Sequence, residues 1–142
     1  MSFYQTVMIV EDDDAIRDAM RMIVESEGYL AVTARNGKEA LDYLRARKDD
    51  DTPCMILLDL MMPEMNGWEF LEMRRSSDII AAIPVIVVTA ASPSKMPGNA
   101  NKVLRKPVDI ERLLHHIDQF CSQTAKDEII CSSEVVGESK AG

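Results

Sequence analysis

No apolar run in this sequence is long enough to span a bilayer, and Met1 to Gln5 lack the basic start and apolar stretch of a signal peptide. Neither membrane insertion nor export is expected, and the expected location is the cytoplasm. Basic residues are outnumbered. The 16 Lys and Arg against 24 Asp and Glu leave a net charge of −8, which argues against a surface that grips nucleic-acid phosphates. No DNA-binding module is recognisable, so any transcriptional output would run through another protein. Cysteine is scarce: Cys54, Cys121 and Cys131 are odd in number and show no C-x-x-C spacing. Neither a disulfide framework nor a zinc site is expected, and reduced thiols fit a cytoplasmic protein. His115 and His116 stand together inside an amphipathic helical pattern without a matching ligand cluster, so they read as part of a surface helix.

What is present suffices for one domain. A chain of 142 residues, 46% apolar and 28% charged, can enclose a single hydrophobic core but not two ordinary ones. Thr6 to Val10 is a nearly continuous apolar run, as suits a strand covered on both faces. From Asp14, a candidate N-cap, Ile16, Ala19, Met20, Ile23 and Val24 recur at helical spacing, and Gly28 stands where that helix would close. The alternation repeats. Tyr29 to Thr33 reads as a strand, and Asn36 with Glu39 opens a helix whose inner face holds Ala40, Leu41 and Leu44. Asp49 to Pro53 forms a polar loop, Cys54 to Leu58 a third strand, Gly67 to Arg75 a third helix, and Pro84 to Val88 a β-branched fourth strand. Val103-Leu104 belongs to a brief fifth strand, and Asp109 to Cys121 to a last helix with Ile110, Leu113, Leu114 and Ile117 on one stripe. Strands alternating with helices of this length predict a parallel sheet, doubly wound, with helices on both faces.

Ligands of such folds bind beyond the carboxyl ends of the strands. There the sequence places Glu11-Asp12-Asp13, Asp59, Thr89 and Lys106-Pro107. Each has an ordinary reading: a solvated charge run with a helix cap, a turn residue, a strand-end hydroxyl, a surface ammonium. Brought together they are harder to dismiss, because clustered carboxylates raise one another's pKa and call for a cation. Oxygen donors favour magnesium over zinc, and magnesium commonly joins one or two carboxylates to a phosphate. Lys106 would supply charge and Thr89 a hydroxyl to phosphate oxygens. An aspartate so surrounded is placed to act as a nucleophile in phosphoryl transfer.

The stretches "VMIVEDDDAIR", "GYLAVTARNGKEAL", "ILLDLMMPEMNG", "VIVVTA" and "LRKPVD" closely resemble, in order, the receiver domain of two-component response regulators, over about Thr6 to Cys121. The resemblance implies a flavodoxin-like (βα)5 fold with strand order 2-1-3-4-5. It implies that Asp59 accepts a phosphoryl group from a histidine kinase or histidine phosphotransfer protein, with Mg2+ as cofactor. Asp12 would bind the metal directly, Glu11 nearby or through water, alongside Asp59 and the backbone carbonyl of Met61; Thr89 and Lys106 would hold phosphoryl oxygens. A cis peptide bond is typical of receivers between the positions of Lys106 and Pro107. The expected product is a signalling module that catalyses its own phosphorylation, not a turnover enzyme, acting on a downstream protein the sequence does not name.

Two features depart from the family. Thr89 and Lys106 lie 17 positions apart, about one helical turn fewer than usual, and the segment between them holds Pro93, Pro97 and Gly98. The fourth helix is therefore expected to be short or absent. Val103 stands where signalling receivers usually carry Tyr or Phe, so no ring can swing inward there. Output through another surface, such as the first helix, or service as a phosphate relay or sink is expected instead. Residues 122–142 form a polar tail after the domain of residues 1–121, although Ile129-Ile130 and Val135-Val136 are apolar enough to dock. Two other readings exist: a pseudo-receiver that binds partners without taking phosphate, and a haloacid-dehalogenase-like phosphatase. The second wants an Asp two residues after the nucleophile, where this chain has Met61.

Overall fold

The computed structural model describes residues 5–47, 51–90 and 96–122. Strands β1 (Thr6–Val10), β2 (Leu30–Ala34), β3 (Met55–Leu58), β4 (Val85–Thr89) and β5 (Lys102–Arg105) form one parallel sheet in the order β2-β1-β3-β4-β5. The helices are α1 (Asp14–Ser26), α2 (Gly37–Arg45), α3 (Gly67–Met73), a single turn α4 (Asp78–Ala81) and α5 (Ile110–Ile117). A 3-10 turn, Arg74–Ser76, extends α3, and a π turn, Asp118–Ser122, extends α5.

Position in the sheet explains each strand's composition. The central strands β3 and β4 are buried at every residue, which is why they read as unbroken apolar runs. The edge strands β2 and β5 are less covered, with Leu30 and Thr33 of β2 and Lys102 and Arg105 of β5 exposed. Successive side chains along β1, β3 and β4 feed opposite cores. Met8, Val10, Ile56, Leu58, Val85 and Val87 meet Leu41 and Leu44 of α2 and Phe70 and Leu71 of α3. Val7, Ile9, Met55, Leu57, Ile86 and Val88 meet Met20 and Val24 of α1 and Leu113 and Ile117 of α5. Each fully buried aliphatic side chain of this kind contributes about 1.5–3 kcal/mol.

The helix boundaries follow from capping. Asp13, not Asp14, caps α1: its Oδ1 accepts from the Ile16 N–H at 2.9 Å, so that Asp14 falls inside the first turn. Gly28 follows that helix at φ 92°, where a side chain would be strained. Asn36 caps α2 as expected, accepting from Glu39 N–H at 2.9 Å, and Ala40, Leu41 and Leu44 are buried. On α1 and α5 the apolar stripe is narrower than its periodicity suggested. Met20, Val24, Leu113 and Ile117 are buried, whereas Ala19, Ile16 and Ile110 are exposed. The last two begin their helices at the carboxyl edge of the sheet, beyond the strands that would have covered them.

Between β4 and β5, Ala90 and Met96–Asn101 carry no helix; residues 91–95 lie outside the described set, as does the tail from residue 123 with its two apolar pairs. Met96 and Ala100, together with Val103 of β5, pack on the sheet there instead. The one-turn helix α4 lies before β4, a position where the sequence predicted none. One expectation is overturned: Cys54 and Cys121 are joined by a disulfide, with Cα atoms 5.4 Å apart. Their separation of 67 positions in sequence concealed the pair, because β3 begins and α5 ends at the same edge of the sheet.

Candidate functional site

At the opposite, carboxyl edge, β1 delivers Glu11. Its N–H continues the pairing with β2 by donating to Ala34 O at 3.0 Å, and its side chain is only 2% exposed. Glu11 Oε2 accepts from Asp13 N–H at 3.2 Å, and Arg17 of α1 donates from Nη1 to the Glu11 carbonyl at 3.0 Å. The turn carrying Asp12 is thus held from both sides. Asp12 itself is exposed, at the rim of an open cleft of about 510 Å3 shared with Arg35, Asn36 and Glu64.

Asp59 follows β3 and is 6% exposed. Its N–H donates to Val10 O at 3.0 Å, and its carboxylate accepts from the backbone N–H groups of Leu60 and Met61. The chain then turns back into α3. Asn66 and Glu69 close that helix with a reciprocal capping box, and Gly67 N–H donates to Leu60 O at 2.9 Å. A Cβ on Gly67 would lie 2.5 Å from the Asp59 carbonyl oxygen and 2.8 Å from Leu60 Cα, so only glycine permits this approach. Gly37 N–H donates to Met65 O at 2.9 Å, tying the start of α2 to the same loop.

Thr89 ends β4, fully buried, and Lys106 follows β5, with its N–H donating to Thr89 O at 2.9 Å. The Lys106-Pro107 bond is cis, as expected. Lys106 Nζ donates to Glu11 Oε1 at 2.8 Å and stands 3.6 Å from Asp59 Oδ1. Carboxylate oxygens of Glu11, Asp12 and Asp59 all lie within 4.8 Å of one another. The structure therefore brings Glu11, Asp12, Asp59 and Lys106 together and puts Thr89 at the neighbouring strand end. Three contributors went unread in the sequence: the Leu60 and Met61 amides on Asp59, the Arg17 grip on the Glu11 carbonyl, and the Lys106–Glu11 pair. Only Arg17 had a signal, as a cation within one turn of the acidic run.

The charges are mutually adjusted. Burial raises the Glu11 and Asp59 pKa values above the ordinary carboxylate range, and repulsion from Asp59 on Glu11 and from Asp12 on Asp59 adds to it, while Lys106 and the backbone amides oppose the rise. For Lys106, burial alone would lower the pKa, but the Glu11 hydrogen bond and the charges of Asp59 and Glu11 outweigh it, so the ammonium is held above its usual value. One ammonium among three carboxylates leaves negative charge uncompensated. Hard oxygen donors at this spacing fit a small divalent cation.

A doubly wound parallel sheet with three converging carboxylates and one lysine at its carboxyl edge defines an α/β domain with an acidic site at the strand ends. The particular family is settled by comparison. The profile of the response regulator receiver domain matches residues 7–118, and the chain belongs to that family. The polar-differentiation response regulator DivK of Brucella anthropi is 32% identical over 124 residues, covering 82% of this chain and 95% of that protein. An uncharacterized 14.6 kDa protein of Leptolyngbya boryana is 32% identical over 120 residues, covering 81% and 88% respectively. A response regulator receiver protein from Pseudomonas putida superimposes with a TM-score of 0.74 at 27% identity, over 84% of this chain and 99% of that one. Among the described residues no helix is long and apolar enough to cross a membrane.

Proposed function

We propose that this receiver accepts a phosphoryl group on Asp59 from a phosphohistidine of a histidine kinase or histidine phosphotransfer protein, with Mg2+ as cofactor, and signals through phosphorylation-dependent binding of another protein. The observation that carries this reading is the meeting of Glu11, Asp12 and Asp59 oxygens within 4.8 Å, beside the Lys106 ammonium. One Asp59 carboxylate oxygen attacks phosphorus, the phosphorus–nitrogen bond breaks, and the donor imidazole leaves with the electron pair. Glu11, Asp12, Asp59 and the Met61 carbonyl would hold the metal, which when bound neutralises charge on the carboxylates and the transferring group. The Leu60 and Met61 amides fix the Asp59 carboxylate so that little reorganisation precedes attack. Lys106, held by Glu11 at 2.8 Å in the unphosphorylated domain, is positioned to exchange that partner for a phosphoryl oxygen, with the Thr89 hydroxyl taking another.

The helix-free residues flanking β5 and the half-buried Val103 favour output through a different surface, α1 being our choice, from a domain of residues 1–121 followed by a tail of residues 122–142. The protein acts as a signalling module in the cytoplasm and makes no direct contact with nucleic acid. The test is incubation with acetyl phosphate and Mg2+, followed by intact mass of the wild type and Asp59→Asn. A phosphate-sized gain confined to the wild type is expected; no gain in either chain would leave a pseudo-receiver, and turnover of unrelated phosphate esters would point to a phosphatase.

A further inference from the structure

The edge of the sheet remote from Asp59 carries a second piece of chemistry. Cys121 is fully buried in the core against α1 and α5, and Cys54 is half-buried at the entry to β3, its N–H donating to Thr6 O at 2.9 Å. Their Cα separation of 5.4 Å lies in the range a disulfide bridges without backbone movement. The bond therefore spans two preset positions. What it fixes is the π turn Asp118–Ser122, a rare form of helix that is also tied by the Tyr29 hydroxyl donating to Asp118 Oδ1 at 2.7 Å and by the 3.2 Å contact of the His116 ring with Gln119 Oε1.

We propose that Cys54 and Cys121 are a reversible redox couple, oxidised by low-molecular-weight disulfides such as glutathione disulfide, that clamps the end of α5 onto the start of β3. The difference in burial dictates the order of steps. The more accessible Cys54 thiolate attacks glutathione disulfide, forming a mixed disulfide and releasing one glutathione thiolate. Cys121 Sγ then attacks the Cys54 sulfur, and the second glutathione leaves. Two protein thiols lose two electrons and two protons, and one glutathione disulfide becomes two glutathione thiols. In the oxidised form, residues 118–122 are anchored to β3 by a cross-link between positions 67 apart in sequence; in the reduced form, packing, the Tyr29–Asp118 hydrogen bond and the contact between the His116 ring and Gln119 remain. Cys54 and Asp59 lie at opposite ends of β3, so this inference stands whether or not Asp59 is phosphorylated.

The test uses the full chain carrying Cys131→Ser, reduced and then equilibrated with glutathione and glutathione disulfide in varied ratio, quenched with an alkylating agent and weighed intact. The doubly alkylated form should give way to an unalkylated form as the disulfide share rises. Adding Cys121→Ser should leave one glutathione on Cys54, and adding Cys54→Ser should leave Cys121 unmodified in the folded chain. Oxidation of the otherwise unmutated Cys131→Ser chain should raise Tm by roughly 10 °C and slow amide exchange in residues 118–122 at least about tenfold. Both thiols alkylating at every ratio would overturn the proposal, as would a bond that no ratio reduces, or glutathione appearing first on Cys121. Because the oxidised and reduced forms of one chain are compared, the answer does not depend on either serine variant folding.

Discussion

Asp59 is buried next to Glu11 in a domain whose backbone amides and Lys106 compensate only part of the combined charge, and burial raises both carboxyl pKa values. A carboxyl with a raised folded-state pKa binds its proton more tightly in the native protein than in the unfolded chain, so native stability falls as pH rises from the unfolded value toward the folded one. Asp59→Asn removes the share of that dependence that belongs to Asp59 and leaves the share of Glu11. In the absence of divalent cation, the variant should match the wild type near pH 4 and become the more stable of the two toward neutral pH, as measured by urea unfolding across the pH range. A constant difference at all pH values would show that Asp59 titrates normally. Gly67 is a residue-scale constraint of another kind. Gly67→Ala drives a methyl against the Asp59 carbonyl and Leu60 Cα, both backbone, and should cost roughly 2–3 kcal/mol of unfolding free energy while disturbing the acceptor loop.

Among the elements, the connection from α3 to β4 is held by an unexpected group. Arg74 is 92% buried, and its guanidinium donates to Ala81 O at 2.9 Å, Ile83 O at 3.0 Å and Asn99 O at 3.0 Å. It joins α3, the single turn α4, the entry to β4 and the loop that leads to β5. Burial lowers its pKa below the usual guanidinium value, a sign of how much water the group has given up. Arg74→Met keeps much of the volume but leaves three carbonyls without their donor, and should cost about 2–4 kcal/mol in denaturant unfolding. Its amide exchange should accelerate most at residues 96–101; uniform acceleration would assign Arg74 a general packing role instead. In the sequence, Arg74 looked like one more basic residue near the end of a helix. Among the described residues, 96–101 carry no helix, which agrees with the proline and glycine they hold, but the way they are held was not legible, because a side chain 25 positions away anchors the loop.

For the whole molecule, folding concentrates part of the net charge of −8 at one edge, so a cation that binds there should stabilise the native state. Saturating Mg2+ at about a hundred times its dissociation constant should add about 2.7 kcal/mol at neutral pH, measured as a rise in Tm. Since Glu11 and Asp59 must release their protons to bind metal, and both hold them above the ordinary range, the gain should shrink as pH falls through those raised values. Asp59→Asn should lose most of the gain at any pH. An equal Mg2+ effect in wild type and variant would place the cation elsewhere.

The sequence by itself determined the alternation of strands and helices, the all-parallel sheet, the capping of α2 by Asn36 and the cluster of candidate side chains at the strand ends. These follow from local rules: apolar period, cap chemistry, and the handedness that sends every strand's carboxyl end to one edge. Tertiary structure alone decided that Lys106 pairs first with Glu11, that Arg74 ties down the loop before β5, that Ile16 and Ile110 stay exposed, and that Cys54 meets Cys121. Each of these depends on groups separated along the chain and joined only when helices pack on the sheet, a relation that no spacing within the sequence encodes.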